Sequence, residues 1–242
     1  MEDLTVQQIL REASLWNFNL TFEQAVKLKK FYFLLMRENK KYNLTRITDP
    51  FAVLHELFFD SVAGLFFAAD KTAPELLDLG SGAGFPGIPI KIIYPELRLI
   101  ILDASAKKIN FLKLLLDELN LQGVTLVHGR AEDYGRGPAR EKYLWVTARA
   151  VASLPVLLEL ALPLLQPGGY FWAYKGPSYE GELLEAEEIL RLCCGELCRT
   201  VSYQLPREQK SRKILIFRKN APVPERFPRR SGIPQKKPII KK

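Results

Sequence analysis

Cysteine and histidine are scarce. The 242 residues hold three cysteines, Cys193, Cys194 and Cys198, crowded into one late segment, and two histidines, His55 and His128. An odd count in a single cluster excludes the even disulfide framework of a stapled secreted domain. Both histidines lie far from the cysteines in sequence, so spacing assembles no zinc set and no metal is expected. No apolar run reaches the ~18 residues that a membrane-spanning helix needs. The opening Met1-Glu2-Asp3-Leu4 lacks the basic and apolar regions of a secretory leader. These absences predict a cytoplasmic location, reduced thiols and no membrane partner.

A hydrophobic content of 48% over this length supports one substantial core rather than two large domains. The net charge of +8 is compatible with a polyanionic partner such as nucleic acid, and equally with plain solubility.

Periodicity predicts helices over Leu4–Ala13, Thr21–Glu38 and Phe51–Ala69, the second opened by a Thr21-Phe22-Glu23-Gln24 capping box. From Pro74 the pattern changes to short apolar runs at Leu76–Leu79, Leu97–Leu102, Val124–Val127, Tyr143–Thr147 and Tyr170–Tyr174. Helical stretches Pro86–Tyr94, Ala106–Asn120 and Ser153–Leu165 lie between them. Such alternation predicts a doubly wound α/β fold with a parallel sheet. After a further helix, Tyr179–Cys194, come strands Thr200–Leu205 and Lys213–Arg218, too close together for a crossover and therefore an antiparallel hairpin. Three parts are expected: a helical extension over 1–70, the α/β domain over 71–220, and a basic tail over 221–242 rich in Pro, Lys and Arg.

The strongest local motif is Glu75-Leu76-Leu77-Asp78-Leu79-Gly80-Ser81-Gly82-Ala83-Gly84-Phe85-Pro86-Gly87, running from a predicted strand into a predicted helix. Gly80, Gly82 and Gly84 let the backbone turn sharply and approach a ligand. A dinucleotide fingerprint would want glycine where Phe85 stands. The G-x-G-x-G spacing, with an acid two residues ahead, resembles motif I of S-adenosylmethionine methyltransferases. Asp103 follows at the end of the second strand, where a carboxylate can accept from both ribose hydroxyls; Ala104 and Ser105 open the next helix. Without the glycine loop Asp103 would read as an N-cap. After the third strand, Ala131 and Glu132 stand beside the same crevice, Glu132 as an acceptor for an adenine amino group or as a surface acid.

Methyl transfer is an in-line displacement governed by position. The fourth strand leads into Val146-Thr147-Ala148-Arg149-Ala150-Val151. It lacks the acid or amide, Pro-Pro and aromatic that mark enzymes acting on exocyclic amines. No cysteine lies near the fourth or fifth strand to attack a pyrimidine ring. Guanine N7 carries a free lone pair and needs no general base. Cationic donors suffice: Arg149 at the end of the fourth strand, and Lys175 after the fifth. A surface ion pair is the plainer reading of Arg149.

Several segments resemble the bacterial glucose-inhibited division protein B group: Lys41-Tyr42-Asn43-Leu44-Thr45 with Arg46-Ile47-Thr48-Asp49-Pro50, His55 with Asp60-Ser61, the glycine loop with its Pro86-Gly87-Ile88-Pro89 extension, Gly129-Arg130-Ala131-Glu132, Arg149-Ala150-Val151-Ala152, and Pro228-Arg229-Arg230-Ser231-Gly232-Ile233-Pro234. Here His55 stands farther from Asp60-Ser61 than in the family pattern, which leaves it without an assigned role. The resemblance implies a Rossmann-like S-adenosyl-L-methionine methyltransferase acting on N7 of a guanine in the 530 loop of 16S ribosomal RNA. It implies cofactor contacts at Gly80, Phe85, Asp103 to Ser105, Ala131, Glu132 and Arg149. The partner would be 16S rRNA or the small ribosomal subunit, with no stable protein partner and a monomeric enzyme. Asn43, Thr45 and Arg46 form a polar cluster between two predicted helices, Asn43 a candidate for the catalytic site and Arg46 for RNA; Arg229, Arg230, Lys236 and Lys237 offer phosphate contacts. A solvated loop and a solubilising tail are the plainer readings. Three alternatives stay open: an NAD(P)-dependent oxidoreductase, a small-molecule methyltransferase, and an RNA-binding module without catalysis.

Overall fold

The computed structural model describes residues 4–63, 75–205 and 211–241. Two helices lead the chain. Helix α1 (Val6–Ser14) and α2 (Phe22–Tyr42) each begin on a reciprocal capping box, Thr5 with Gln8 and Thr21 with Gln24. α2 runs past the expected end at Glu38 and stops where Asn43 turns left-handed, at φ 49°.

The third helix departs from expectation. It starts as α3 (Pro50–Ala52), N-capped by Asp49, and widens into a π-helical segment, Val53–Phe59. Its predicted end at Ala69 lies outside the described residues. The amide of Asp60 donates to the carbonyl of His55, five residues back. A π turn holds one residue more than an α turn and frees carbonyls that the regular ladder would use.

Seven strands follow: β1 (Glu75–Leu79), β2 (Arg98–Asp103), β3 (Val124–His128), β4 (Tyr143–Arg149), β5 (Leu165–Lys175), β6 (Gly195–Gln204) and β7 (Ser211–Lys219). Between them lie α4 (Gly87–Ile93), α5 (Ala106–Leu119), α6 (Ala131–Arg136), α7 (Leu154–Ala161), α8 (Tyr179–Glu185) and α9 (Glu187–Leu192), and α10 (Ile233–Lys236) comes last. The single helix expected over Tyr179–Cys194 is two, hinged at Ala186. The sheet order is β3-β2-β1-β4-β5-β7-β6; β1 to β5 are parallel, and β7 runs antiparallel to both β5 and β6. This is the doubly wound α/β sheet with the late antiparallel hairpin that the alternating pattern predicts.

Side chains alternate across the sheet, one strand residue facing each layer. Leu76, Ile101, Trp145 and Trp172 join the layer built with α1, α2, the π segment and α5. Leu77, Leu102, Val146 and Phe171 join the layer built with α7, α9 and the chain after β7. Cys193 is packed in this second layer, and burial pushes its thiol up to about 12, out of redox reach near neutral pH. The strand order reverses between β1 and β4, and in open α/β sheets a ligand crevice opens outside the carboxyl ends of the strands at such a point. Among the described residues, no helix is long and apolar enough to cross a membrane, and no group of His, Cys, Asp and Glu could hold a metal ion.

Candidate functional site

The crevice is present. A cleft of about 230 Å³ lies at the strand tips, between Leu79 and Gly80 of β1, Asp103 of β2, Ala131 and Glu132 after β3, and Val151 after β4. Its tight corner depends on Gly80, whose φ is +72° and where a Cβ would stand 2.7 Å from a Val151 methyl.

Asp103 is 6% exposed and fixed by the backbone around it. Its Oδ2 accepts from the Gly82 amide at 2.9 Å and its Oδ1 from the Ser105 amide at 2.8 Å. Each carboxylate oxygen has a second lone pair, so the group can still accept a vicinal diol. Glu132 is also buried, and only its Oε1 is engaged among the described contacts, by the Gly232 amide at 2.8 Å and by Arg130 at 3.3 Å. A diol acceptor, an amino acceptor and the apolar walls of Leu79, Leu102 and Leu160 fit the adenosine half of a nucleoside cofactor.

Gly80, Asp103, Ala104, Ala131 and Glu132 are thus brought to one cleft. Gly82 and Ser105 stand just behind it, holding Asp103. Gly84 faces Ile88 and Leu112 instead. Phe85, expected at the cofactor, is buried in a three-ring cluster with Phe31 of α2, 5.2 Å away and nearly parallel, and Phe58 of the π segment at 5.9 Å, those two rings being 5.0 Å apart. Phe85 ties the glycine loop to the helical extension.

Beneath the loop, Asp78 is fully buried. Its Oδ2 accepts from the Ser81 hydroxyl at 2.5 Å and the Gly87 amide at 2.8 Å, while Oδ1 has no partner among the described residues. Burial, with the nearby Asp103 charge, raises its carboxyl to about 7, against the lowering by those two donors.

A second cleft, about 310 Å³, adjoins the first and shares Ala150 with it. Ala150, where the two clefts meet, has φ 53°, unusual for alanine. Arg149 lies along this cleft with its guanidinium on the π segment. It donates to Ser61 Oγ at 3.2 Å, to the Leu57 carbonyl at 3.3 Å and to the Glu56 carbonyl, and it pairs with Asp60 at 3.2 Å. Asp60 in turn accepts from the Tyr203 hydroxyl at 2.6 Å. Burial and the Asp60 charge push that phenol far above its ordinary value. Arg212 pairs with Glu56 at 3.3 Å. Lys175 lines the same cleft, paired with Glu182 at 2.7 Å.

Asn43 and Arg46 are exposed just before Ile47, which lines the second cleft. Arg229 is elsewhere: its backbone amide and guanidinium are on Glu159, at 2.6 to 2.9 Å. Arg230, Lys236 and Lys237 remain exposed. Sequence reasoning passed over Asp60, Tyr203 and Arg212 as site residues. Asp60-Ser61 stood in a family motif, whereas Tyr203 and Arg212 carry no local signal and reach the site through strand pairing.

This fold and these strand-tip clefts define a Rossmann-like methyltransferase. Among solved structures, a Bacillus halodurans protein described as a candidate methyltransferase matches with TM-score 0.52 and 15% identity over 67% of this chain and all of that one. The YcgJ protein of Bacillus subtilis matches at TM-score 0.50 and 13% identity, over 67% of this chain and 99% of that one. At these identities the likeness is one of fold. The model of the family described as rRNA small subunit methyltransferase G matches residues 24–212. Staphylococcus aureus (strain bovine RF122 / ET3-1) has a ribosomal RNA small subunit methyltransferase G that is 41% identical over 99% of this chain and 100% of its own. The Lactobacillus acidophilus protein of the same name is 42% identical, over 96% and 98%. The chain belongs to the rRNA small subunit methyltransferase G family.

Proposed function

We propose that this methyltransferase moves a methyl group from S-adenosylmethionine to N7 of a guanine in the 530 loop of 16S ribosomal RNA. Residues 71–220 are the catalytic domain in this reading, 1–70 a helical extension, and 221–242 an appended segment. The observation that carries the proposal is the pair of clefts meeting at Ala150. One has the acceptors for an adenosine, and the other is lined by Arg149, Lys175 and Arg212.

S-adenosylmethionine supplies a methyl carbon made electrophilic by its sulfonium. The protein's task is alignment, since the attacking nitrogen must sit on the carbon–sulfur axis. Asp103 and Glu132 would hold the adenosine end. The acids of the second cleft, Glu56 and Asp60, are committed to Arg212, Arg149 and Tyr203. A target that needs no proton removed suits such a site, and guanine N7 is one. The outer face of α2 supports an RNA substrate, because it turns Lys30, Phe33, Arg37, Lys40 and Lys41 to solvent and ends at Asn43, four residues before Ile47 of the second cleft.

The test is transfer of labelled methyl to unmodified small subunits and to deproteinised 16S rRNA, mapped by cleavage specific for N7-methylguanine. Label at a guanine in the 530 loop, lost in Arg149→Ala and Asp103→Ala, is the expected result. Absence of label on both RNAs, with S-adenosylmethionine still bound, would refute the rRNA substrate and favour a small-molecule acceptor.

A further inference from the structure

The chain after β7 folds back over the layer of α6 and α7 and reaches the first cleft. Arg140 donates to the carbonyls of Val223, Pro224 and Phe227. Glu141 accepts from the Val223 amide at 2.8 Å and from the fully buried Lys219 at 2.6 Å. Phe227 and Pro228 are buried, and Pro228 lies 3.3 Å from where a Cβ on Gly135 of α6 would stand. Then Arg229 forks onto Glu159 of α7, Nε to Oε1 at 2.8 Å and a terminal nitrogen to Oε2 at 2.6 Å. The Glu159 side chain is 1% exposed, in a helix otherwise apolar. Three residues on, Gly232, at φ +80°, directs its amide to Glu132 Oε1 at 2.8 Å.

We infer that the strap Pro228–Gly232 is a positioning element of the cofactor cleft: its Gly232 amide fixes one oxygen of Glu132 so that the other can accept from a ligand amino group, and the Arg229–Glu159 fork sets where that amide stands. The inference rests on the reading of the first cleft as the adenosine site. The geometry supports a role beyond packing, because the strap's last anchor is on Glu132, the one α6 carboxylate that lines the cleft. A carboxylate free to rotate would lose its orientation toward a donor, and hydrogen bonds to charged groups weaken steeply with misalignment.

The test compares S-adenosylhomocysteine with S-inosylhomocysteine, in which a carbonyl replaces the adenine amino group, by titration calorimetry on the full chain. Wild type should prefer the adenosyl ligand, and Arg229→Gln should bind it about tenfold more weakly with that preference eroded, a loss of about 1.4 kcal/mol. Arg229→Lys, which keeps a cation on Glu159, should recover part of the preference and guards against a variant that fails to fold. Combining Glu132→Gln with Arg229→Gln should cost no more than the worse single change, because both act through one contact. If Arg229→Gln lowers the melting temperature while the adenosyl-to-inosyl ratio is unchanged, the strap is packing only and the inference is overturned. If wild type binds neither ligand, the adenosine reading of the cleft itself fails, an outcome distinct from the first.

Discussion

Arg149→Met should be one of the most damaging single changes in the protein, for reasons that precede catalysis. The arginine side chain is 16% exposed and Asp60 is 5% exposed. Methionine keeps most of the stem's volume but removes the donors to Ser61, Leu57 and Glu56 and leaves Asp60 without its cation. Breaking a buried pair from one side costs roughly 3–5 kcal/mol. The methionine stem's burial offsets a little of this, so the expected loss is about 3–4 kcal/mol. At about 2–4 °C per kcal/mol for a chain of this size, the melting point should fall by roughly 6–16 °C. Urea titration of the two proteins gives the free energy directly. Adding Asp60→Asn to Arg149→Met should then recover about 1.5–2 kcal/mol, because the amide is neutral and its oxygen still accepts from Tyr203. An Arg149→Met protein within 1 kcal/mol of wild type, or a second substitution that adds further loss, would refute the claim that this pair anchors the π segment.

Asp78 predicts a pH dependence. Its carboxyl sits at about 7 through burial, so between about pH 4 and 7 the folded chain holds a proton that the unfolded chain has released. The stability it contributes is therefore full below about pH 4 and lost as pH rises to 7. Against Asp78→Asn, wild type should lose about 1.4 kcal/mol per pH unit from 5 to 7 and nothing more above 8; parallel curves would exclude the shift. Phe85→Ala should cost about 3–5 kcal/mol, and a double-mutant cycle with Phe31→Ala should return about 0.5–1.5 kcal/mol of coupling from the stack; zero coupling would dissociate the loop from α2. Asp103→Asn should weaken S-adenosylmethionine binding roughly ten- to 150-fold by calorimetry, the loss of one charge-assisted contact worth about 1.5–3 kcal/mol. Unchanged affinity would remove Asp103 from the cofactor site.

Much of this molecule is legible along the chain. Capping boxes, the glycine loop and the switch from a period of 3.6 to short apolar runs are local signals, and they place α2, β1 and the carboxyl ends where Asp103 and Glu132 stand. What stays hidden is relational. Nothing within Val53–Phe59 distinguishes a π turn from an α turn; the arginine that takes its carbonyls is about ninety residues away. Tyr203 and Arg212 reach Arg149 only because β7 inserts between β5 and β6. Arg229 reads as a free cation in a basic tail, yet its partner was signalled: Glu159 is the single acid in Leu-Pro-Val-Leu-Leu-Glu-Leu-Ala, and a carboxylate buried among leucines requires a cation from somewhere.

The π segment makes chain length itself a determinant of the site. Each α-helical residue advances about 100° around the axis, so deleting any one residue between Val53 and Phe59 would allow an ordinary helix to close. Regular closure would take the carbonyls of Glu56 and Leu57 back into the ladder and swing Asp60 away from Arg149. A deletion that changed no charge, removed no named contact residue and even improved local hydrogen bonding would still dismantle the second cleft. At this position the contacts of Arg149 depend on a helix that is one residue too long to be regular.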